Sequence, residues 1–182
     1  MSKFTTKKIV FSAALIALAT ISADFLSFHM PVGGSVTVFS MLLVCLAGFW
    51  FGPTVGISAA IVHGLIQFIS NPYVIHPVQV ILDYFLAFGA LGLSGFFHNK
   101  KNGLILGYSV GVLGRFVFST ISGMIFYTEY VGVLNEDLAA LWAGVAYNLS
   151  YMLPEYILTI ILLMIPAVQK ALSYLKKMAV QS

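Results

Sequence analysis

Six long apolar runs, separated by short breaks, constrain this chain more than any other feature of it. They lie near residues 9–28, 36–51, 54–70, 78–97, 104–127 and 141–166, and a helix that crosses a bilayer needs about 20 mostly apolar residues. Only 8% of the 182 residues are charged and 60% are hydrophobic, against about 25% and 45–50% in an ordinary soluble domain. The pattern predicts an all-α integral membrane protein of six transmembrane helices, with residues 1–182 forming one membrane domain. What remains is too small for a soluble catalytic or nucleotide-binding domain, and no G-x-x-x-x-G-K-[ST] phosphate loop is present. The expectation is a protein that is not an enzyme and leaves any ATP-driven work to a partner. A single cysteine, Cys45, inside an apolar run allows neither an intrachain disulfide nor a cysteine-only metal centre.

Turn-forming residues mark the breaks: Pro31 with Gly33 and Gly34, Gly52 with Pro53, Asn71 and Pro72 with His76 and Pro77, the run His98 to Gly103, and the acidic stretch Glu129 to Asp137. Basic residues then set orientation. Of nine Lys and Arg, Lys3, Lys7 and Lys8 precede span one, Lys100 and Lys101 follow span four, and Lys170, Lys176 and Lys177 follow span six. Basic loops stay in the cytoplasm, which predicts cytoplasmic termini and a cytoplasmic 98–103 loop. The net charge of +3 is thus a matter of topology, and nucleic acid is not an expected partner. Spans two and three, at 16 and 17 residues, fit either two crossings or a re-entrant hairpin of the same parity. The first run is too long for a secretory signal, lacks a clear A-x-A site and is followed by five more, so it is expected to be a helix that stays. In it Ala13 and Ala17, then Ala19 and Ala23, recur at the spacing that lets helices approach closely, as do Gly107 and Gly111 in span five. Ala13 and Ala17 suit either internal packing or docking on a partner membrane protein.

Ionisable groups at membrane depth carry the functional signal, because a charge in hydrocarbon is costly without a role or a partner. Arg115 lies 12 residues below Tyr127 and Glu155 14 below Leu141, about 18 and 21 Å from the outer ends at helical rise. The matched depths predict a charge pair joining spans five and six, acting as a structural tie or as a relay or latch. Asp83, five residues below Val78 and so about 8 Å deep, has no basic residue at its level. Around that depth lie Gln79, Tyr84, Ser119, Ser122, Gly123, Tyr127, Tyr147, Asn148 and Tyr151. A carboxylate among aromatic faces suits a planar, hydrogen-bonding cation; an interfacial tyrosine belt with interhelical hydrogen bonds is the alternative. The four histidines, His29, His63, His76 and His98, lack metal-ligand spacing, so no metal is expected, and His63 fits a packed polar residue. Pro154 is expected to kink span six beside Glu155.

Four segments carry a resemblance: Pro31 to Ser40 (PVGGSVTVFS), His76 to Gly95 (HPVQVILDYFLAFGALGLSG), Arg115 to Phe126 (RFVFSTISGMIF) and Tyr147 to Tyr156 (YNLSYMLPEY). Together they resemble the thiamine-specific substrate-binding subunits, or S components, of energy-coupling factor vitamin transporters. The resemblance implies a six-helix protein in the bacterial plasma membrane, surrounded by lipid. It would capture thiamine outside without any cofactor and dock, partly through small residues of helix one, on a transmembrane coupling subunit driven by two ATPase subunits. It also implies ligand contacts at Asp83, Tyr84, Gly123, Tyr127 and Asn148. Departures from the family pattern fall at Ser119, where a histidine is common, at Ala143, where some members carry tyrosine, and at Tyr127, where tryptophan occurs. They leave open a related pyrimidine or another aromatic cation, and a stand-alone secondary transporter using Asp83, Arg115 or Glu155 is the competing class. The glycine-rich loop Pro31 to Ser35 is expected to close over the ligand.

Overall fold

The computed structural model describes residues 5–30, 34–126 and 137–180, with 137–140 described by backbone alone. The first helix, α1 (Thr6–Phe25), opens on Thr5, whose hydroxyl accepts from the Lys8 amide. Among the described residues five helical stretches are long and apolar enough to cross a membrane: α1, α3 (Pro53–Ser70), α4 (Pro77–Phe97), α5 (Gly103–Ile125) and the Leu141–Met164 part of α6 (Asp137–Met164). The remaining apolar helix, α2 (Ser40–Phe51), has 12 residues, a rise of about 18 Å against a hydrocarbon core of about 30 Å. The expected second span therefore starts late. Residues 36 and 37 of that run pair instead in a two-stranded antiparallel ribbon, β1 (Ser27–His29) with β2 (Ser35–Thr37), in which Phe28 faces Val36.

The shortness of α2 follows from its surroundings. Ten of its 12 residues are buried, as expected of a helix that is hydrophobic on every side and sits at the centre of a bundle. Leu15, Ile16 and Ala19 of α1, Val55, Ala59 and Ala60 of α3, Leu91 of α4 and Tyr108 and Val112 of α5 join it in one core. Glycines bring the backbones together: a Cβ at Gly56 would strike Gly48, and one at Gly92 would strike the backbone of Ile57. Gly107 and Gly111 meet Ser94 and Leu91 in the same way, so the small-residue spacing of span five is internal packing. On α1 the spacing divides. Ala19 is fully buried, whereas Ala13 and Ala17 are exposed on a face that also carries Val10, Leu18 and Ile21.

A further helix, α7 (Pro166–Val180), follows α6 after the single residue Ile165; the apolar-run pattern had given only a basic tail there. Lys176 fastens it to the bundle, with Nζ donating to the His98 carbonyl at 3.0 Å and lying 4.0 Å from the centre of the Phe49 ring. The basic 98–103 loop and the basic C-terminal helix thus share one end of the molecule. His63 is a packed polar residue, 1% exposed, with Nδ1 3.4 Å from the Thr20 hydroxyl and its ring edge-on to Phe88. Among the described residues no group of three His, Cys, Asp or Glu side chains is placed to hold a metal ion.

Candidate functional site

Asp83 sits in an irregularity of α4. His76 starts that helix, its Nδ1 accepting from the Val78 amide with Pro77 in the first turn, and after Val80 the chain widens into a π-helical turn over Ile81–Leu86. Such turns are frequent at functional sites, since the extra residue re-aims the side chains on it. Space for it comes from α3, where a Cβ on Gly64 would collide with the Tyr84 carbonyl. Sequence periodicity gave no warning of this turn.

One oxygen of Asp83 is firmly held. Gln79 Nε2 donates to Oδ2 at 2.8 Å and Ser122 Oγ donates to the same atom at 3.0 Å. Gln79 is itself 1% exposed and accepts from the Ile75 amide, and Ser122 is also buried. Among the described residues these two donors go to Oδ2 alone, so the carboxylate is oriented through that atom.

Helix α6 supplies Tyr147, Asn148 and Tyr151. Asn148 is buried, donating to the Gly144 carbonyl at 2.9 Å and accepting from the Tyr151 hydroxyl at 2.6 Å. These bonds fix the amide orientation and aim the phenol. Tyr147 and Tyr151 meet edge to face at 5.6 Å. Tyr147 is within electrostatic range of Asp83, and Ser119 of α5 stands beside Tyr151. Gly123 lets α6 come close: a Cβ there would lie 3.5 Å from the Gly144 Cα and 4.0 Å from Asn148 Nδ2. Asp83, Gln79, Ser119, Ser122, Gly123, Tyr147, Asn148 and Tyr151 are thus brought together where α4, α5 and α6 converge.

One expected member stands elsewhere. Tyr84 is turned toward α3, its hydroxyl donating to the Asn71 carbonyl and accepting from the Tyr73 amide, both at 3.0 Å, with its ring on Phe68. Consecutive helical residues do not share a face, so Asp83 and Tyr84 serve different sides of α4. Tyr127 lies outside the described residues. So do Pro31, Val32 and Gly33 of the expected lid, but Gly34 is described, and its position is informative. Its φ is +75° and a Cβ there would come within 2.5 Å of the Tyr151 ring, so the end of the ribbon turn rests directly on an aromatic side chain of the cluster. Only glycine satisfies both conditions.

Arg115 and Glu155 do not form the expected ion pair. Glu155, 2% exposed, accepts instead from the Thr37 hydroxyl at 2.6 Å and the Thr37 amide at 3.2 Å through Oε2, and from the Met41 amide at 3.1 Å through Oε1. Helix α2 begins at Phe39 in a left-handed conformation with no side-chain cap of its own. The carboxylate from α6 takes that place, satisfying an orphan N–H and meeting the positive end of the helix dipole. Arg115 packs its guanidinium 4.3 Å from the centre of the Phe88 ring. The matched depths gave no sign of the backbone donors that Glu155 serves. Thr37 was missed for the same reason, as nothing in its sequence context marks a hydroxyl aimed at α6.

Comparison with known proteins gives a consistent picture. The sequence pattern of the family described as "Thiamine transporter protein" matches residues 9–175. The chain is 34% identical over 169 aligned positions to the thiamine transporter ThiT of Bacillus subtilis, covering 85% of this chain and 84% of that one. A solved structure of ThiT from Listeria monocytogenes superposes with a TM-score of 0.60 at 22% identity, covering 89% of this chain and 94% of the other; at that identity it bears on the fold alone.

Proposed function

The chain belongs to the thiamine transporter protein family, a family of multi-pass bacterial membrane transporters and not of enzymes, and from that premise we propose that it is a thiamine-binding S component. In this reading it captures thiamine from the outside and docks on an ATP-driven coupling module. The observation that carries the proposal is the carboxylate of Asp83, held through Oδ2 by Gln79 and Ser122 and within electrostatic range of Tyr147 and Tyr151. Thiamine joins an aminopyrimidine, whose amino group donates hydrogen bonds, to a cationic thiazolium ring. A fixed carboxylate accepts from the amino group and attracts the positive charge, while aromatic rings supply stacking and cation–π attraction. Gln79, Ser119, Gly123, Tyr127, Tyr147, Asn148 and Tyr151 are assigned with Asp83 to the ligand site. Tyr84 acts on it indirectly by tying α4 to the 71–73 segment.

The ribbon supplies the means of closure. Its turn rests on Tyr151 through Gly34, and its second strand is bound to α6 through Thr37 and Glu155. Movement of the Pro31 to Ser35 loop then opens or covers the site while Thr37 keeps the ribbon on α6. Docking is assigned to the exposed face of α1 around Ala13 and Ala17, where small residues permit close helix approach. The test has two stages. Purified protein is titrated with thiamine, following Trp50 and Trp142 fluorescence, and uptake is then measured in cells with and without a coupling subunit and its ATPases. Saturable binding together with uptake only in the presence of the ATPases supports the assignment. Absence of binding refutes it, and ATP-independent uptake by the chain alone establishes a secondary transporter instead.

A further inference from the structure

Helix α7 has a surface that neither ligand capture nor the bundle core uses. Its inner side is engaged: Ala179 is 2% exposed, Leu172 packs on the core and Lys176 is tied to His98 and Phe49. The outer side divides into two strips. Ala171, Leu175 and Met178 form an exposed apolar strip with Tyr174 at its edge. Beside it Lys170 and Lys177, seven residues apart and therefore on one face, flank a shallow groove of about 440 Å³ completed by Pro166, Gln169, Ser173 and Tyr174. The groove offers two ammonium groups, a hydroxyl, an amide and a phenol, and both lysines are exposed. No Asp or Glu occurs from Tyr156 to Ser182 to neutralise it.

Its place in the fold identifies the occupant. One residue separates α7 from the last membrane-spanning stretch, and Lys176 pins the helix to the end of the bundle that also carries Lys100 and Lys101. A basic amphipathic helix at that position lies in the interface, apolar strip toward the acyl chains and lysines among the headgroups. We propose that the Lys170–Lys177 groove binds the phosphate-bearing headgroup of an anionic phospholipid, anchoring α7 on the membrane surface. The phosphodiester sits between the two ammonium groups, Ser173 donates to its oxygens, Gln169 is held at the groove's edge by its bond to the Leu163 carbonyl, and Tyr174 lies along the first carbons of the chains.

Native mass spectrometry of the full chain, released from micelles with equal phosphatidylglycerol and phosphatidylcholine, tests this directly. The unaltered protein is expected to retain phosphatidylglycerol preferentially. Replacing Lys170→Gln and Lys177→Gln together should reduce that preference by roughly tenfold or more, given the attraction of each interfacial lysine to anionic lipid. Replacing Lys100→Gln and Lys101→Gln should leave it intact. Circular dichroism confirms that each variant is folded. Equal retention of both lipids by the unaltered protein, or an unchanged preference in the Lys170/Lys177 variant, overturns the proposal. Equal loss in the Lys100/Lys101 variant also overturns it, in favour of unspecific charge attraction. Release of the lipid by millimolar inorganic phosphate overturns the lipid assignment in favour of a soluble anion.

Discussion

Replacing Asp83→Asn separates the ligand-facing oxygen of this residue from its structural one. Both hydrogen bonds that hold the side chain, from Gln79 and Ser122, go to Oδ2. An amide oxygen in the same position accepts them, so the turn is expected to survive and melting to change little. The Oδ1 position then presents an N–H₂ group where a carboxylate oxygen stood, and the negative charge is gone. A hydrogen bond to a charged group contributes about 1.5–3 kcal/mol, so thiamine affinity should fall roughly 10- to 150-fold. Glu155→Gln provides the contrast. Its two oxygens serve two backbone amides, Thr37 through Oε2 and Met41 through Oε1, and a glutamine has one acceptor oxygen for both. Leaving one buried N–H unsatisfied costs about 1–3 kcal/mol, or about 2–12 °C in melting temperature by the scaling for proteins of this length. Affinity should suffer less than in Asp83→Asn, because Glu155 faces the ribbon and α2. Fluorescence titration with thiamine and a thermal melt of both variants in one detergent give the two numbers for each. Affinity within threefold of the unaltered protein for Asp83→Asn, or an equal loss in both folded variants, would refute the assignment of Asp83.

Ala13→Trp or Ala17→Trp should leave thiamine binding intact and abolish uptake in cells that supply the coupling subunits; loss of binding along with uptake would show that this face packs inside the protein. Gly34→Ala should weaken thiamine binding several-fold, since a left-handed alanine is strained by about 1–2 kcal/mol and its methyl group collides with Tyr151; an unchanged isotherm would mean that the ribbon turn is not seated on the site. Spin labels at Val32 and in the 128–136 loop should move closer when thiamine saturates the protein; an identical distance distribution with and without ligand would count against a moving lid.

What the sequence disclosed and what it concealed follow from the physics each feature obeys. Crossing a bilayer is a demand on length and composition, so five spans were legible within a few residues and the basic clusters already grouped the 98–103 loop with the C-terminal end. Asp83 was legible as well, because an acid in a run such as VQVILDYFL has no reason to be there unless something answers it. The second span misled because Val36 and Thr37 run straight into an apolar stretch, while the pairing that makes them ribbon depends on Phe28 and Ser27 across the turn. Tyr84 was misplaced because depth along a helix says nothing about direction around it, and the π-turn that sets the direction leaves no trace in hydropathy.

The Arg115–Glu155 mismatch has the widest consequence. Hydropathy reads side chains, and by that measure a buried carboxylate needs a buried cation. Peptide groups supply the same compensation at a helix start, where several N–H donors point one way. Here α2 is too short to bring its first turn to the surface, so that turn lies at the depth of Glu155 and the acid of α6 serves it. The span that looked marginal in length and the carboxylate expected to pair with Arg115 are one feature: the short α2 presents the donors that Glu155 answers. Thr37, bonded to the same carboxylate, joins the ribbon to them. A substitution that frees Glu155 should therefore loosen the ribbon and the start of α2 together, which hydrogen exchange at the Thr37 and Met41 amides would register as a joint rise. Exchange rising at Met41 alone would show that the ribbon is held by its strand pairing and that the carboxylate serves only the helix.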